Sequence, residues 1–155
     1  MWRASELRRF VTQDPACQRR VLRAACRMAV VDVWLRIFGY AATLRRLGRL
    51  PFGSRPRTGT IDEWVRAVDV AARHHLYLMH CLPRALTLRS FLAEAGIETD
   101  LRIGVRKEGG ELAAHAWIEH RGEPLGEIPL IAERFPPLAR PDGAERARAA
   151  AGPFC

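Results

Sequence analysis

Lysine is almost absent from this chain: of 25 basic residues only Lys107 is a lysine, and the rest are arginines. Aromatic residues are also sparse, at 8%. None interleaves the arginines as a platform for single-stranded nucleic acid requires. The net charge of +8 therefore reads as arginine- and alanine-rich coding rather than phosphate recognition, and nucleic acid is not an expected partner. A basic surface of this kind suits an acidic peptide or a partner protein.

Long apolar runs are missing too. The most apolar stretch, Ala29 to Leu35, is interrupted by Asp32 and closed by Arg36, too short for a membrane span. The start, MWRASELRRF, has no apolar core of a signal peptide, so a cytoplasmic location is expected. Cysteine is limited to Cys17, Cys26, Cys81 and Cys155, at no spacing that a zinc site uses, and disulfides are not expected. The histidine-rich run HHLYLMHC, residues 74–81, carries no paired ligand spacing either. Neither a metal nor another cofactor is expected.

What is present is enough apolar residue, 48% of 155, to form a core. Asp14-Pro15 is a helix start, and the helix runs to about Leu47 with a break near Gly39 and a stop at Gly48. Val21, Leu22, Ala25, Met28, Ala29, Val33 and Phe38 mark a broad apolar face for the core. Residues 48–59 are turn-rich. Thr60 and Glu63 form a capping box, followed by Trp64, Val68, Ala71 and His75 at helical spacing. A third helix begins at Cys81 and stops at Gly96, with a polar stripe of Arg84, Thr87, Ser90 and Glu94. After Gly96 the period becomes two: Leu101, Ile103 and Val105 alternate, then Ala114, Ala116 and Ile118, and Leu125–Ile128 supplies a third strand. Helices followed by an antiparallel meander make an α+β chain. The expected division is an N-terminal helical region at 1–50, a core at 60–138 and a mobile Ala/Arg/Pro/Gly-rich tail at 139–155.

Cys81 stands where a helix begins, and there the unpartnered backbone N–H groups and the dipole favour a thiolate, the nucleophilic form. His80 is its neighbour in sequence, and adjacent side chains diverge, so it is a poor base. His115 lies mid-strand in AAHAWIE. If Gly109-Gly110 forms a two-residue hairpin loop, Gly104 comes opposite His115, Ile103 opposite Ala116 and Val105 opposite Ala114. His115 and Trp117 then share one face, with Gly104 leaving room for another backbone to approach. A helix-start cysteine and a strand histidine form the layout of papain-like and transglutaminase-like enzymes, a nucleophile helix packed on a small sheet. Gly104 and Trp117, together with Arg84 one turn beyond Cys81, are candidate substrate contacts.

The segments CLPRALTLRSFL, LRIGVRK and AHAWIEHRGEPLGE, followed by FPPL, resemble the lasso peptide leader peptidases of the transglutaminase-like superfamily. The likeness covers about residues 60–138. It implies a stand-alone cysteine peptidase that frees a ribosomally made precursor of its leader. A small leader-binding protein would present the leader, and an asparagine-synthetase-like cyclase, a further partner, would close the ring. Cys81 matches the family nucleophile and His115 its base. The family's third residue, usually Asp, stands twelve positions after the histidine, where this chain has Glu127. By analogy the N-terminal helices would dock the leader-binding partner. An acyltransferase with the same residues and a non-catalytic adaptor with Cys81 merely buried are the alternatives.

The second hairpin bears on Glu127. With HRG as a three-residue loop and Gly122 in the left-handed position, Glu119 faces Glu123 at a solvated hairpin end, Trp117 faces Leu125 and Glu127 faces His115. In that register Glu119→Gln changes little. A two-residue loop sets Glu127 against Ala116, on the other face of the sheet.

Overall fold

The computed structural model describes residues 14–47, 59–74 and 80–138, and these described residues form three long helices, a three-stranded sheet and one short helix. Helix α1 spans Pro15–Leu47, and its first turn closes with the Gln18 N–H donating to the Asp14 carbonyl at 3.1 Å. The expected break falls at Gly39, whose φ of 73° suits a residue without a Cβ. Beyond it Thr43, fully buried, donates its hydroxyl to the Gly39 carbonyl at 2.8 Å. Helix α2, Ile61–Arg73, opens with the anticipated capping box: Thr60 accepts from the Glu63 N–H while the Glu63 carboxylate accepts from the Thr60 N–H. Helix α3, Cys81–Glu94, closes on Gly96 at φ 74°. The Gly96 N–H bonds the Ala93 carbonyl and the Ile97 N–H that of Leu92, the pattern of a Schellman cap. Gly48, residues 49–58, His75 and the 139–155 tail lie outside the described residues.

Two compact units result, one through Glu98 and one from Thr99. In the first, Val21, Ala24, Met28 and Val31 of α1, Trp64, Ala67, Val68 and Ala71 of α2, and Leu86, Phe91 and Leu92 of α3 are buried. Their centre is Phe91, stacked on Trp64 with ring centroids 4.5 Å apart. The broad apolar face anticipated for α1 divides in two. Val21 and Met28 join the core, whereas Leu22, Val33 and Phe38, with Ile37, are exposed. Geometry explains the split: Val21, Ala24, Met28 and Val31 repeat at three and four residues, and Leu22 and Val33 fall on a different side of the cylinder. The polar stripe of α3 is likewise not a surface. Thr87 and Ser90 are buried, Glu94 pairs with Arg27 at 2.7 Å, and Arg84 pairs with Asp69 at 2.6 Å.

The second unit is a meander in the order β1 (Asp100–Glu108), β2 (Glu111–His120), β3 (Glu123–Pro124), followed by α4, Ile131–Arg134. The first hairpin has the expected register: Gly104 pairs with His115, Ile103 with Ala116 and Val105 with Ala114. Gly109 and Gly110 take φ of 59° and 91°, the two left-handed positions of a type I′ turn.

The second hairpin overturns the expected three-residue loop. His120 pairs with Glu123 and Glu119 with Pro124, so the loop is Arg121-Gly122, with both residues at positive φ (53° and 87°). The third strand is correspondingly short; Leu125 makes one more bond, its N–H to the Ile118 carbonyl at 2.8 Å, and the chain then bends. Glu119 is not at a solvated end facing Glu123. It is buried at 8% exposure and accepts from Arg102 Nε at 2.7 Å and from the Trp117 indole N–H at 3.0 Å. The two-residue register avoids the like-charge pair and gives that carboxylate two donors. Glu119→Gln should therefore cost stability, by about 1–3 kcal/mol, because an amide substituting for one carboxylate oxygen offers Arg102 or Trp117 a donor instead of an acceptor. Urea unfolding of the variant measures this, and a midpoint equal to that of the unsubstituted protein would contradict it.

Candidate active site

Cys81 is the first residue of α3. His80 occupies the N-cap with extended backbone (φ −74°, ψ 162°) but its side chain makes no capping hydrogen bond, and Pro83, third in the helix, brings no N–H of its own. The first turn is thus left without a side-chain cap, beside a half-buried free thiol. This is the setting in which a developing negative charge on sulfur, or on an oxygen bonded to the carbon it attacks, is favoured by the helix dipole.

In the sheet unit His115 sits mid-strand on β2, on the face that also carries Trp117 and Glu119. Its ring lies nearly parallel to that of Trp117, with centroids 6.1 Å apart and planes at 17°. Trp117 is in turn tied to Glu119, and Glu119 to Arg102, so the face is a ladder of side chains with period two. On its other flank the imidazole meets Phe135 at 5.3 Å between centroids.

Glu127 Oε1 stands 3.2 Å from His115 Nε2, and both side chains are mostly buried, at 21% and 15% exposure. The approach lacks hydrogen-bond alignment, so it is a close contact of a carboxylate with the ring edge rather than a formed bond. How Glu127 gets there differs from the sequence expectation. Continuing the two-residue register would set it against Ala116, on the other face. The strand ends at Pro124 instead, and Gly126 at φ 69° turns the chain so that Glu127 swings back toward the histidine. The carboxylate reaches the imidazole through a bend and not through strand pairing.

The three residues singled out as substrate contacts are placed as follows. Arg84 is half-buried with its guanidinium on Asp69. Trp117 is 1% exposed. The backbone that approaches Gly104 is the chain's own: a Cβ at Gly104 would lie 2.8 Å from the Phe135 carbonyl carbon and closer still to its oxygen. Phe135 is the neighbour of His115 that sequence reasoning missed, and the single signal for it was the open space predicted at Gly104.

An α+β chain with a cysteine opening a helix and a strand histidine backed by a carboxylate has the parts of a thiol-dependent acyl-transfer enzyme. Residues 25–140 match the model of the transglutaminase-like superfamily, and the chain belongs to that superfamily. The match begins within α1 and runs past β3. No curated protein and no solved structure matches the chain. The superfamily is typically one of cysteine-protease-like enzymes, and its domain fits a cysteine peptidase or an acyltransferase. Among the described residues no helix is long and apolar enough to cross a membrane.

Proposed function

We propose that this protein is a cytoplasmic cysteine peptidase that removes the leader from a ribosomally made lasso peptide precursor before a separate cyclase closes the ring. The observation that carries the reading is the His115–Glu127 contact. Glu127 meets Nε2, which leaves Nδ1 as the nitrogen to receive a thiol proton. Cys81 gives its proton to that nitrogen, and the thiolate attacks the scissile carbonyl to form a tetrahedral intermediate. Backbone N–H groups at the start of α3 hold the oxyanion. As the C–N bond breaks, the imidazolium returns the proton to the departing amine, leaving the leader as a thioester on Cys81. Water, deprotonated by His115, hydrolyses the thioester and restores the thiol. Glu127, beside the ring, stabilises the imidazolium that forms.

The resemblance of the Cys81, His115 and FPPL segments to leader peptidases supports the substrate class, and so does the surface of α1. Its one acidic residue, Asp32, is buried against Arg36, while Arg19, Arg23, Leu22, Val33 and Ile37 are exposed. An acidic, partly apolar leader-binding protein complements such a face.

The test is incubation with the precursor peptide in ¹⁸O-water, with and without the cognate leader-binding protein, read by mass spectrometry. The reading expects ¹⁸O in the new carboxyl terminus of the leader, formed faster when the leader-binding protein raises the local substrate concentration. Amine adducts in place of the free acid would make the protein an acyltransferase, and an intact precursor under both conditions would make it an adaptor. Glu127→Gln should lower turnover by about 10²-fold, since the neutral amide no longer stabilises the imidazolium. Unchanged turnover in that variant would remove Glu127 from the mechanism.

A further inference from the structure

We propose that residues 135–138 form a strap whose Phe135 ring fixes the orientation of the His115 imidazole, making Phe135 a positioning residue; the inference rests on the reading of His115 as the base. An imidazole on a strand has one soft torsion, and a half-turn about it exchanges the edge facing Glu127. The Glu127 contact alone is too poorly aligned to hold the ring. Two further groups restrict it, Trp117 along one side at 6.1 Å and Phe135 at 5.3 Å and 35°.

Phe135 is placed there by the sheet edge. Its own N–H bonds the Ile131 carbonyl at 2.8 Å, and Ile131 is buried. Pro136 restricts Phe135 to extended backbone, as observed at φ −129°, ψ 85°. The segment then pairs with the outer edge of β1: the Val105 N–H donates to the Pro136 carbonyl at 3.2 Å and the Leu138 N–H to the Ile103 carbonyl at 2.8 Å, on either side of the Gly104–Pro137 bridge. In that pairing residue 137 would turn its N–H outward, and proline has none, so the strap closes the sheet edge to further strands. Gly104 performs two tasks in one position. It is the cross-strand partner of His115, and its missing side chain is what lets the Phe135 backbone come close enough to lay the ring on the imidazole. Arg106, two residues on along the same face, caps the Phe135 ring with its guanidinium at 4.8 Å.

Three variants in the full chain test the strap. Phe135→Leu keeps apolar bulk but removes the ring, Gly104→Ala displaces the strap without altering Phe135, and Phe135→Tyr keeps the ring. With precursor as substrate, the first two should each lower kcat on the order of 10-fold or more at unchanged KM, because a misdirected base affects the chemical step and not binding. Phe135→Tyr should retain most of the rate. The His115 ring protons, followed by ¹H–¹³C NMR, should lose the ring-current shift of Phe135 in Phe135→Leu and show a changed one in Gly104→Ala. Wild-type kcat in Phe135→Leu, or a lowered kcat with unmoved His115 resonances, overturns the inference. Should Phe135→Leu fail to fold, Gly104→Ala decides by the same two readouts. An active Cys81→Ala protein would instead refute the peptidase reading, while the NMR arm still decides whether the strap orients the ring.

Discussion

Replacing Cys81 with alanine should reduce the proposed leader removal by about 10³-fold or more while leaving the fold intact. In the proposed mechanism sulfur supplies the covalent step, and no neighbouring group at the start of α3 can take its place: His80 is the N-cap, Leu82 is apolar and Pro83 follows. Stability should change little, because the side chain is half-buried and alanine is well suited to a first helical turn. The comparison that makes the result specific is Cys17→Ala and Cys26→Ala, half-buried and exposed thiols of α1 that should keep full turnover. Cys155 lies outside the described residues and serves as a further control. Brief treatment with iodoacetamide near neutral pH should place its first adduct on Cys81 and abolish activity in parallel. Complete cleavage by the Cys81→Ala protein, or inactivation that follows alkylation of Cys26, would sink the mechanism.

How far this arrangement was legible in the sequence depended on whether a local rule had one solution. Gly109-Gly110 can occupy both left-handed positions of a tight turn without strain, so the first hairpin and the Gly104–His115 register followed from two residues. The second turn contains a single glycine, and the sequence placed the left-handed residue on Gly122 alone. The structure puts Arg121 there as well, at φ 53°, a conformation costing about 1–2 kcal/mol for a residue with a Cβ. That local cost is outweighed by a non-local gain: Glu119 enters a site where Arg102 and the Trp117 indole both donate to it. No turn rule contains that term. The three-residue turn sets Glu127 beside His115 through a register that does not form, and Glu127 arrives there by the bend at Gly126. The two faults, a wrong register and an unforeseen bend, cancel in their effect on one carboxylate. Phe135 was beyond reach for a related reason: its partner is some twenty residues away in sequence, and only the emptiness at Gly104 announced it.

The arginine buried in the helical unit should carry the largest stability effect in the protein. Arg27 is fully buried, on a face whose other members, Val21, Ala24, Met28 and Val31, are apolar. It is tolerated because the buried guanidinium has an ion-pair partner, a hydroxyl acceptor and an aromatic face. Nη2 pairs with Glu94 at 2.7 Å, Nη1 donates to the Ser90 hydroxyl at 3.2 Å, and the guanidinium lies 4.2 Å over the Phe91 ring that stacks on Trp64. Ser90 donates its hydroxyl hydrogen bond to the Thr87 carbonyl at 2.7 Å, which leaves the hydroxyl oxygen as the acceptor for Arg27. Arg27→Ala therefore does three things together: it opens a cavity beside Phe91, removes the cation from Glu94 and strips Ser90 of a donor. The expected loss is about 3 kcal/mol or more. Arg27→Met, which keeps the stem volume, should lose less, and pairing it with Glu94→Met should recover part of the loss, since the cost then falls on neither an open cavity nor an isolated carboxylate. Arg20 and Glu63 supply the contrast, a more exposed pair with side chains 18% and 31% accessible, whose separation should cost about 1 kcal/mol at most and depend on salt. Urea denaturation at low and high ionic strength distinguishes the two pairs. A loss under 1 kcal/mol for Arg27→Ala would mean that the helical unit relaxes around the missing side chain, and the three-helix packing described by Arg27, Phe91 and Trp64 would not be the core that holds Cys81 at the head of α3.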